Sequence, residues 1–143
     1  MKYSAKLSDA MHILAFLALY PGEDLSSDAI AHSIHTNPSY VRQLMSALRK
    51  GGLLTNVKGH PRPALPKAPS QITLLDVYRA MEGDKPLLHQ DIHTNPDCGV
   101  GVNIQLALRD CYDLVQKKSE EAMQSITLQE VLERYEEKRK ESL

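Results

Sequence analysis

The sequence predicts a mainly α-helical protein with one small β-hairpin, and three observations carry that prediction. Apolar residues recur at the three- and four-residue spacing of amphipathic helices through most of the chain. Residues that favour the starts and ends of helices separate these segments. One stretch after residue 52 combines strand-forming residues with a turn and several prolines. The order of these parts is that of a winged helix-turn-helix followed by a long helix.

The first predicted helix is apolar on nearly all sides, so we expect it at the centre of the fold. Leu7, Met11 and Leu14 repeat at helical spacing, and Ile13 and Phe16 widen the apolar face. No signal-peptide cleavage pattern follows, and the run is shorter than the roughly 20 apolar residues that span a bilayer. We therefore expect a buried helix in a cytoplasmic protein with no membrane partner.

The next two predicted helices are short and have clear starting residues. Ser26 is placed to cap the first of them, and Asn37 to cap the second. Pro38 occupies the first helical position, where its missing N–H costs nothing, and Gly51-Gly52 ends the helix. Two helices joined by a tight turn are typical of a motif that enters the DNA major groove.

A proline-rich hairpin is predicted directly after the second of these helices. Residues 53–58 are strand-like, and residues 59–61 (Gly-His-Pro) form a turn. The return segment carries Pro61, Pro63 and Pro66, so it can donate few hydrogen bonds to a neighbouring strand. We expect a short hairpin in the place of a wing.

A further helix follows the hairpin. Thr73 and Asp76 have the spacing of a capping box, and Gly83 is expected to end the helix. Residues 84–97 are a polar loop. We expect a winged helix-turn-helix DNA-binding domain over residues 1–83, and a loop, dimerisation helix and C-terminal helix over residues 84–143.

The longest predicted helix runs from about Val102 to Met123 and suggests a homodimer. At 1.5 Å per residue it is roughly 30 Å long, more than a small domain needs for its own core. Its surplus apolar face favours pairing with a second copy of the chain. The residues predicted to form this dimerisation face are Ile104, Leu108, Cys111 and Val115.

Charge is distributed unevenly along the chain. The net charge is only −1, but residues 1–67 hold eight Lys/Arg against four Asp/Glu. Residues 68–143 hold nine against fourteen. Because attraction to phosphate is local, this pattern suits a basic DNA-reading head on an acidic body.

The outer face of the third predicted helix carries groups that read base edges or bind phosphates. The guanidinium of Arg42 matches the two acceptors of guanine, and Lys58 and Arg62 are placed on the wing over the minor groove. A solvated helix face is the alternative interpretation. The predicted DNA-contacting residues are Ser26, Thr36, Asn37, Ser39, Tyr40, Arg42, Gln43, Ser46, Lys50, Lys58 and Arg62.

Several of these segments together resemble the Rrf-two (Rrf2) family of bacterial winged-helix regulators, the IscR, NsrR and CymR group. The matching motifs are NPSYVRQLMSALRKGGLL, NVKG and PSQITLLDVYRAMEG, followed by ALRDCYDLVQ and ITLQEV. The chain looks most similar to cysteine-poor, YwnA-like members. The resemblance implies a homodimer on a near-palindromic operator, usually as a repressor. It also implies base contacts from Ser39 and Arg42 and a basic wing position at Lys58.

The chain departs from the family pattern at two places. Residues 60–65 read HPRPAL where the family's wing usually carries Gly-Gly-Tyr. Members that bind a cluster place three cysteines just before and at the start of the dimerisation helix, and here that region holds only Cys98. An iron–sulfur cluster needs more thiolate ligands than this. We expect no cofactor and no metal.

Cys98 is also a candidate redox thiol. It follows Asn-Pro-Asp at the start of the long helix, where the positive end of the helix dipole increases the reactivity of a thiol. A cysteine without function is the alternative. His89 and His93 lie in the same loop, but their spacing from Cys98 matches no established metal site.

The sequence thus predicts a homodimeric, sequence-specific DNA-binding transcriptional regulator, usually a repressor, with an unidentified small-molecule or protein effector. No nucleophile–base pair, phosphate-binding loop or carboxylate pair is evident, so we do not expect an enzyme. Two alternatives stay open: a winged-helix protein-interaction module, and a redox sensor acting through Cys98.

Overall fold

The computed structural model describes residues 4–21, 25–56 and 63–143 as a mainly helical fold with one two-stranded sheet, which confirms the predicted fold class. The long helix begins earlier than predicted because Cys98 caps it. The helices are α1 (Lys6–Leu19), α2 (Ser27–Ile34), α3 (Pro38–Lys50), α4 (Leu74–Glu82), α5 (Gly99–Gln124) and α6 (Leu128–Glu141). The strands are β1 (Thr55–Asn56) and β2 (Pro63–Ala64), and a 3-10 turn covers Pro69–Gln71.

Helix α1 lies at the centre of the core, as predicted. Ala10, Ile13 and Leu14 are completely buried. The helix contacts α2, α3, α4 and α6, so four other helices are positioned against it. Removal of this apolar surface from water is the main force that holds the DNA-reading elements in place.

The predicted capping residues start three helices. The Ser26 hydroxyl accepts from the Ala29 N–H at 3.1 Å, and the Asn37 side chain accepts from the Tyr40 N–H at 2.8 Å. The Thr73 side chain accepts from the Asp76 N–H, and the Asp76 carboxylate accepts from the Thr73 N–H, which completes the capping box. Because these bonds are local in sequence, they fix each start independently of the distant chain.

The end of α3 packs closely on α4. A Cβ atom at Gly51 would approach the Cβ atom of Ala80 to 3.0 Å, closer than such atoms ordinarily come. Gly52 adopts a φ of +73°, in the left-handed region that favours glycine. The Gly-Gly pair therefore ends the helix and lets it approach its neighbour.

The described part of the hairpin after α3 is one pair of two-residue strands. Its strands are antiparallel, with Thr55 opposite Ala64 and Asn56 opposite Pro63. The predicted turn at residues 59–61, together with Lys58 and Arg62, lies outside the described residues.

Helices α4 and α6 begin side by side. The Leu74 N–H donates to the Ile126 carbonyl and the Leu128 N–H donates to the Ile72 carbonyl, both at 2.8 Å. These bonds make an isolated antiparallel bridge between Thr73 and Thr127, each of which caps its own helix. We call this contact the Thr73–Thr127 bridge. It places α6 against α1, so the chain returns to the winged helix after α5.

The division into domains at residue 83 stays a prediction.

None of the helices in the described ranges is long and apolar enough to span a membrane.

Candidate nucleic-acid interface

The outward face of α3 is fixed by what its inner face buries. Val41, Leu44, Met45 and Leu48 lie in the core, so the opposite side of the helix must face solvent. His35 closes α2 with a left-handed φ of 65° and turns the chain towards α3. The two helices pack against each other in a helix-turn-helix arrangement.

The exposed face of α3 carries most of the predicted base-reading residues. These are Ser39, Arg42, Gln43, Ser46 and Lys50, and all five are exposed. The Arg42 guanidinium donates to the Ser39 hydroxyl at 3.2 Å. This bond holds the guanidinium over the first turn of the helix, where it can donate to a base or a phosphate.

The residues predicted at the starts of α2 and α3 take part in local structure. The side chains of Ser26 and Asn37 act as caps, and the backbone N–H of Thr36 donates to the Ala31 carbonyl at 2.9 Å. They nevertheless lie beside the positive ends of two helix dipoles, which attract phosphate groups.

Tyr40 is placed differently from the other predicted residues. It is half-buried, and its hydroxyl donates to the Asp9 carboxylate of α1 at 3.0 Å. Burial and this bond raise the pKa of Tyr40 above its ordinary value. The residue therefore ties the recognition helix to the central helix.

Arg49 is a residue of this region that sequence reasoning did not select. Its guanidinium donates to the Asn56 side chain on β1 at 3.2 Å, which connects the end of α3 to the base of the hairpin. The sequence shows only that Arg49 is a basic residue in the last turn of a helix, and it does not indicate which strand residue the guanidinium contacts.

The predicted dimerisation residues come together on one exposed side of α5. Ile104 is 56% exposed, Val115 is 44% exposed, and Leu108 and Cys111 are also exposed. We call these four residues the apolar stripe, and Val100 extends it towards the start of the helix. Leu106, on the opposite side of α5, is not part of it.

A groove of about 850 Å³ runs between α1 and α6. Met11, Phe16 and Leu132 give it an apolar lining. At its edge a His12 ring nitrogen and the Ser33 hydroxyl are 3.0 Å apart, and Ser33 belongs to the helix-turn-helix. A ligand in this groove would contact α2 directly.

Cys98 caps α5, and its sulfur accepts weakly from the Gly101 N–H at 3.5 Å. It is exposed, in keeping with a candidate redox thiol. In the nearby loop His93 pairs with Asp91, and the backbone N–H of His93 lowers the pKa of that carboxylate.

Comparison with known proteins gives consistent matches over nearly the whole chain. Residues 3–134 match the Rrf2 family, described as an iron-dependent transcriptional regulator. The chain is 38% identical over 129 residues to the HTH-type transcriptional regulator YwnA of Bacillus subtilis, covering 90% of this chain and 96% of YwnA.

Two solved structures extend the comparison. The fold is similar to that of IscR of T. potens, with a TM-score of 0.66 and 29% identity over 96% of this chain and 90% of IscR. It is also similar to CymR, the global cysteine regulator of B. subtilis, with a TM-score of 0.65 and 25% identity over 93% of this chain and 97% of CymR.

The iron dependence in the family's description does not fit the ligands of this chain. The sequence holds two cysteines, of which Cys98 caps α5 and Cys111 lies on the apolar stripe. Within residues 4–21, 25–56 and 63–143, no three His, Cys, Asp or Glu side chains are grouped to hold a metal ion.

Proposed function

The chain belongs to the Rrf2 family of helix-turn-helix transcriptional regulators, and from that premise we propose that it is a homodimeric repressor of a near-palindromic operator. It is a DNA-binding regulator and not an enzyme. One observation carries the proposed reading of DNA by α3: the helix buries Val41, Leu44, Met45 and Leu48 in the core and presents an exposed row of hydroxyl, amide and cationic groups.

In this proposal Arg42 donates two hydrogen bonds to a guanine, and Ser39 supports it or contacts a neighbouring phosphate. The next base edges or phosphates along the major groove are contacted by Gln43, Ser46 and Lys50. Tyr40 holds the helix at its angle through Asp9. Ser26, Thr36 and Asn37 lie near the phosphate backbone, and Lys58 and Arg62 contact the adjacent minor groove from the wing.

We propose that two chains pair through the apolar stripe on α5. Exposed apolar side chains along one side of a long helix are unfavourable in water, and a two-fold pairing buries the same surface on both chains. Two recognition helices related by a two-fold axis match a palindromic site.

We propose further that the regulator works without an iron–sulfur cluster. The support is the donor set, since two cysteines provide too few thiolates. An effector, either a small molecule or a protein, then supplies the signal. The groove between α1 and α6 is its candidate site because Ser33 connects that groove to the helix-turn-helix.

The experiment pairs two substitutions on an operator selected in vitro with the full chain. Arg42→Ala should cost about 1–3 kcal/mol on the preferred sequence and relax the choice at one base pair. Lys58→Ala should weaken binding evenly across sequences and lower the salt slope by about 1. Both are measured by fluorescence anisotropy as a function of salt, with Arg109→Ala on α5 as the control. Unchanged operator affinity in both variants would contradict this placement of the interface.

Two alternatives make different predictions. A winged-helix protein-interaction module that has lost DNA binding, which the altered wing and the acidic second half favour, should show no steeply salt-dependent affinity for the operator. A redox sensor acting through exposed Cys98 should change its DNA affinity on peroxide treatment, and Cys98→Ser should abolish that change.

A further inference from the structure

The connection between α5 and the winged helix is confined to one end of the long helix. Among the described residues, the side-chain bonds from α5 to the winged helix come from Gln116 and Glu120. Met123, one turn further, is buried against Leu75 and Tyr78 of α4. Residues 99–115 form no described side-chain bond to the winged helix; Gln105 accepts hydrogen bonds from Gln90 and Thr94 of the loop before α5. Relative to the winged helix, these residues therefore extend from the attachment as an arm.

Gln116 occupies the centre of the attachment. Its side-chain carbonyl accepts from the Leu87 N–H at 2.9 Å, and its side-chain NH2 lies 3.4 Å from the Tyr78 hydroxyl oxygen. That hydroxyl donates to the Lys85 carbonyl at 2.7 Å. One amide thus connects α5, the loop after α4 and α4 itself.

A second contact lies one helical turn away. The Arg79 guanidinium and the Glu120 carboxylate are 3.2 Å apart. We call Tyr78, Arg79, Gln116 and Glu120 the α4–α5 clamp. Two contacts at successive turns of α5 restrict its rotation about α4 more than either contact alone, because they act at different distances along its axis.

The angle of the arm matters because of its length. The centre of the apolar stripe lies about 8 to 9 residues from the middle of the clamp on α5, or roughly 13 Å. A rotation of about 10° at the clamp therefore moves the stripe by about 2 Å, and a two-fold axis doubles the effect between the two heads. One base pair along DNA is about 3.4 Å.

We propose that the α4–α5 clamp sets the distance between operator half-sites that the dimer accepts, with Gln116 as its principal positioning residue. This inference rests on the proposed function, namely DNA binding by a dimer that pairs through α5. The clamp fixes the angle of α5 on α4 and thereby the spacing of half-sites, while α3 selects the base sequence and the apolar stripe pairs the two chains.

The test uses the full chain and a set of operators whose half-sites are moved apart or together by one and two base pairs. We expect the wild type to prefer one spacing by about tenfold over its neighbours. The variant Gln116→Ala/Arg79→Ala should bind all five spacings within about threefold, with unchanged affinity for an isolated half-site. The matched control, Gln124→Ala/Arg109→Ala, changes two exposed residues of α5 outside the clamp and should keep the wild-type profile.

Exchanging the charges of Arg79 and Glu120 distinguishes a change in the angle of α5 from a general loss of folding or DNA affinity. Arg79→Glu alone should flatten the spacing profile, because it places a second carboxylate beside that of Glu120 and the two repel each other. Arg79→Glu combined with Glu120→Arg should restore the preference for one spacing. Sedimentation should show the same dimer for every variant.

Four outcomes would overturn the inference: a wild-type dimer that binds every spacing equally, an unchanged spacing profile in the clamp variant, an equal loss of affinity at every spacing and on the half-site, or loss of the dimer in that variant. Failure of the proposed function looks different, since the wild type itself would then be a monomer or would not bind the operators.

Discussion

Helices α3 and α5 are both amphipathic, yet they use their apolar faces in opposite ways. Helix α3 places Val41 and Leu48 in the core of its own chain, where neither is exposed. Helix α5 leaves Ile104 and Leu108 in solvent and buries only Met123 near its end. The apolar face of α3 is buried within its own chain, whereas most of the apolar face of α5 is exposed.

This difference assigns separate roles to the two faces. Because the apolar side of α3 is satisfied, its polar side is free to meet DNA at a fixed angle. Because the polar side of α5 carries the clamp, its exposed apolar side is the surface that we propose pairs with a second chain. Substitutions in the two helices should therefore have different kinds of effect.

The largest effect is expected from Leu48→Ala in α3. The side chain is completely buried, so truncation leaves a cavity and should lower the free energy of unfolding by about 2–5 kcal/mol. Urea denaturation measures the loss. Leu106→Ala, at an exposed position of α5, should change the same quantity by less than about 0.5 kcal/mol. Equal losses of unfolding free energy at both positions would contradict the distinction between a buried apolar face on α3 and an exposed one on α5.

A smaller effect of a different kind is expected from Ile104→Glu on the apolar stripe. Two buried carboxylates per dimer should weaken self-association by about 100-fold while each winged helix stays folded. Analytical ultracentrifugation over a range of concentrations measures this change. Leu106→Glu, on the other side of the helix, should associate as the wild type does. Dimerisation that survives Ile104→Glu would place the interface elsewhere.

The starts of the two helices provide a third comparison. Asn37→Ala removes a 2.8 Å cap bond from α3 and should cost about 1 kcal/mol of stability, with Asn37→Ser retaining most of it. Thermal unfolding monitored by circular dichroism checks the difference. If Asn37→Ala and Asn37→Ser behave identically, the cap is not what holds the start of the recognition helix.

The smallest effect is expected at the cap of α5. A cysteine sulfur is a weak acceptor, and its bond to the Gly101 N–H is long at 3.5 Å. Cys98→Ser should therefore raise stability by about 0.5 kcal/mol or less, and slow hydrogen exchange in the first turn of α5. A clear loss of stability would show that the thiol has a structural role that a hydroxyl cannot replace.

The local features of this fold were predictable from the sequence. The caps at Ser26, Asn37 and Thr73 depend on residues three positions apart, and the Gly-Gly end of α3 depends on adjacent ones. The apolar stripe was predictable for a similar reason, because helical spacing alone places its members on one side.

The missed features join residues that are far apart in the chain. Nothing near Tyr40 indicates Asp9, and nothing near Gln116 indicates Tyr78 or Leu87. The Thr73–Thr127 bridge was missed although the same Ile-Thr-Leu triplet begins both segments. A cap such as that of Thr73 follows from residues three positions apart, but this local chemistry contains no information about which two caps lie side by side.

The Thr73–Thr127 bridge also allows the arm to change during evolution while the rest of the fold stays the same. Because residues 72–74 and 126–128 are joined by backbone bonds, the chain returns after α5 to the start of α4, about one nine-residue helix or roughly 14 Å from Gly83, where it leaves the winged helix. Segments whose two ends are neighbours can be lengthened, shortened or exchanged without rerouting the rest of a fold. The winged helix can thus stay unchanged while the intervening segment, in which we place the pairing surface, changes.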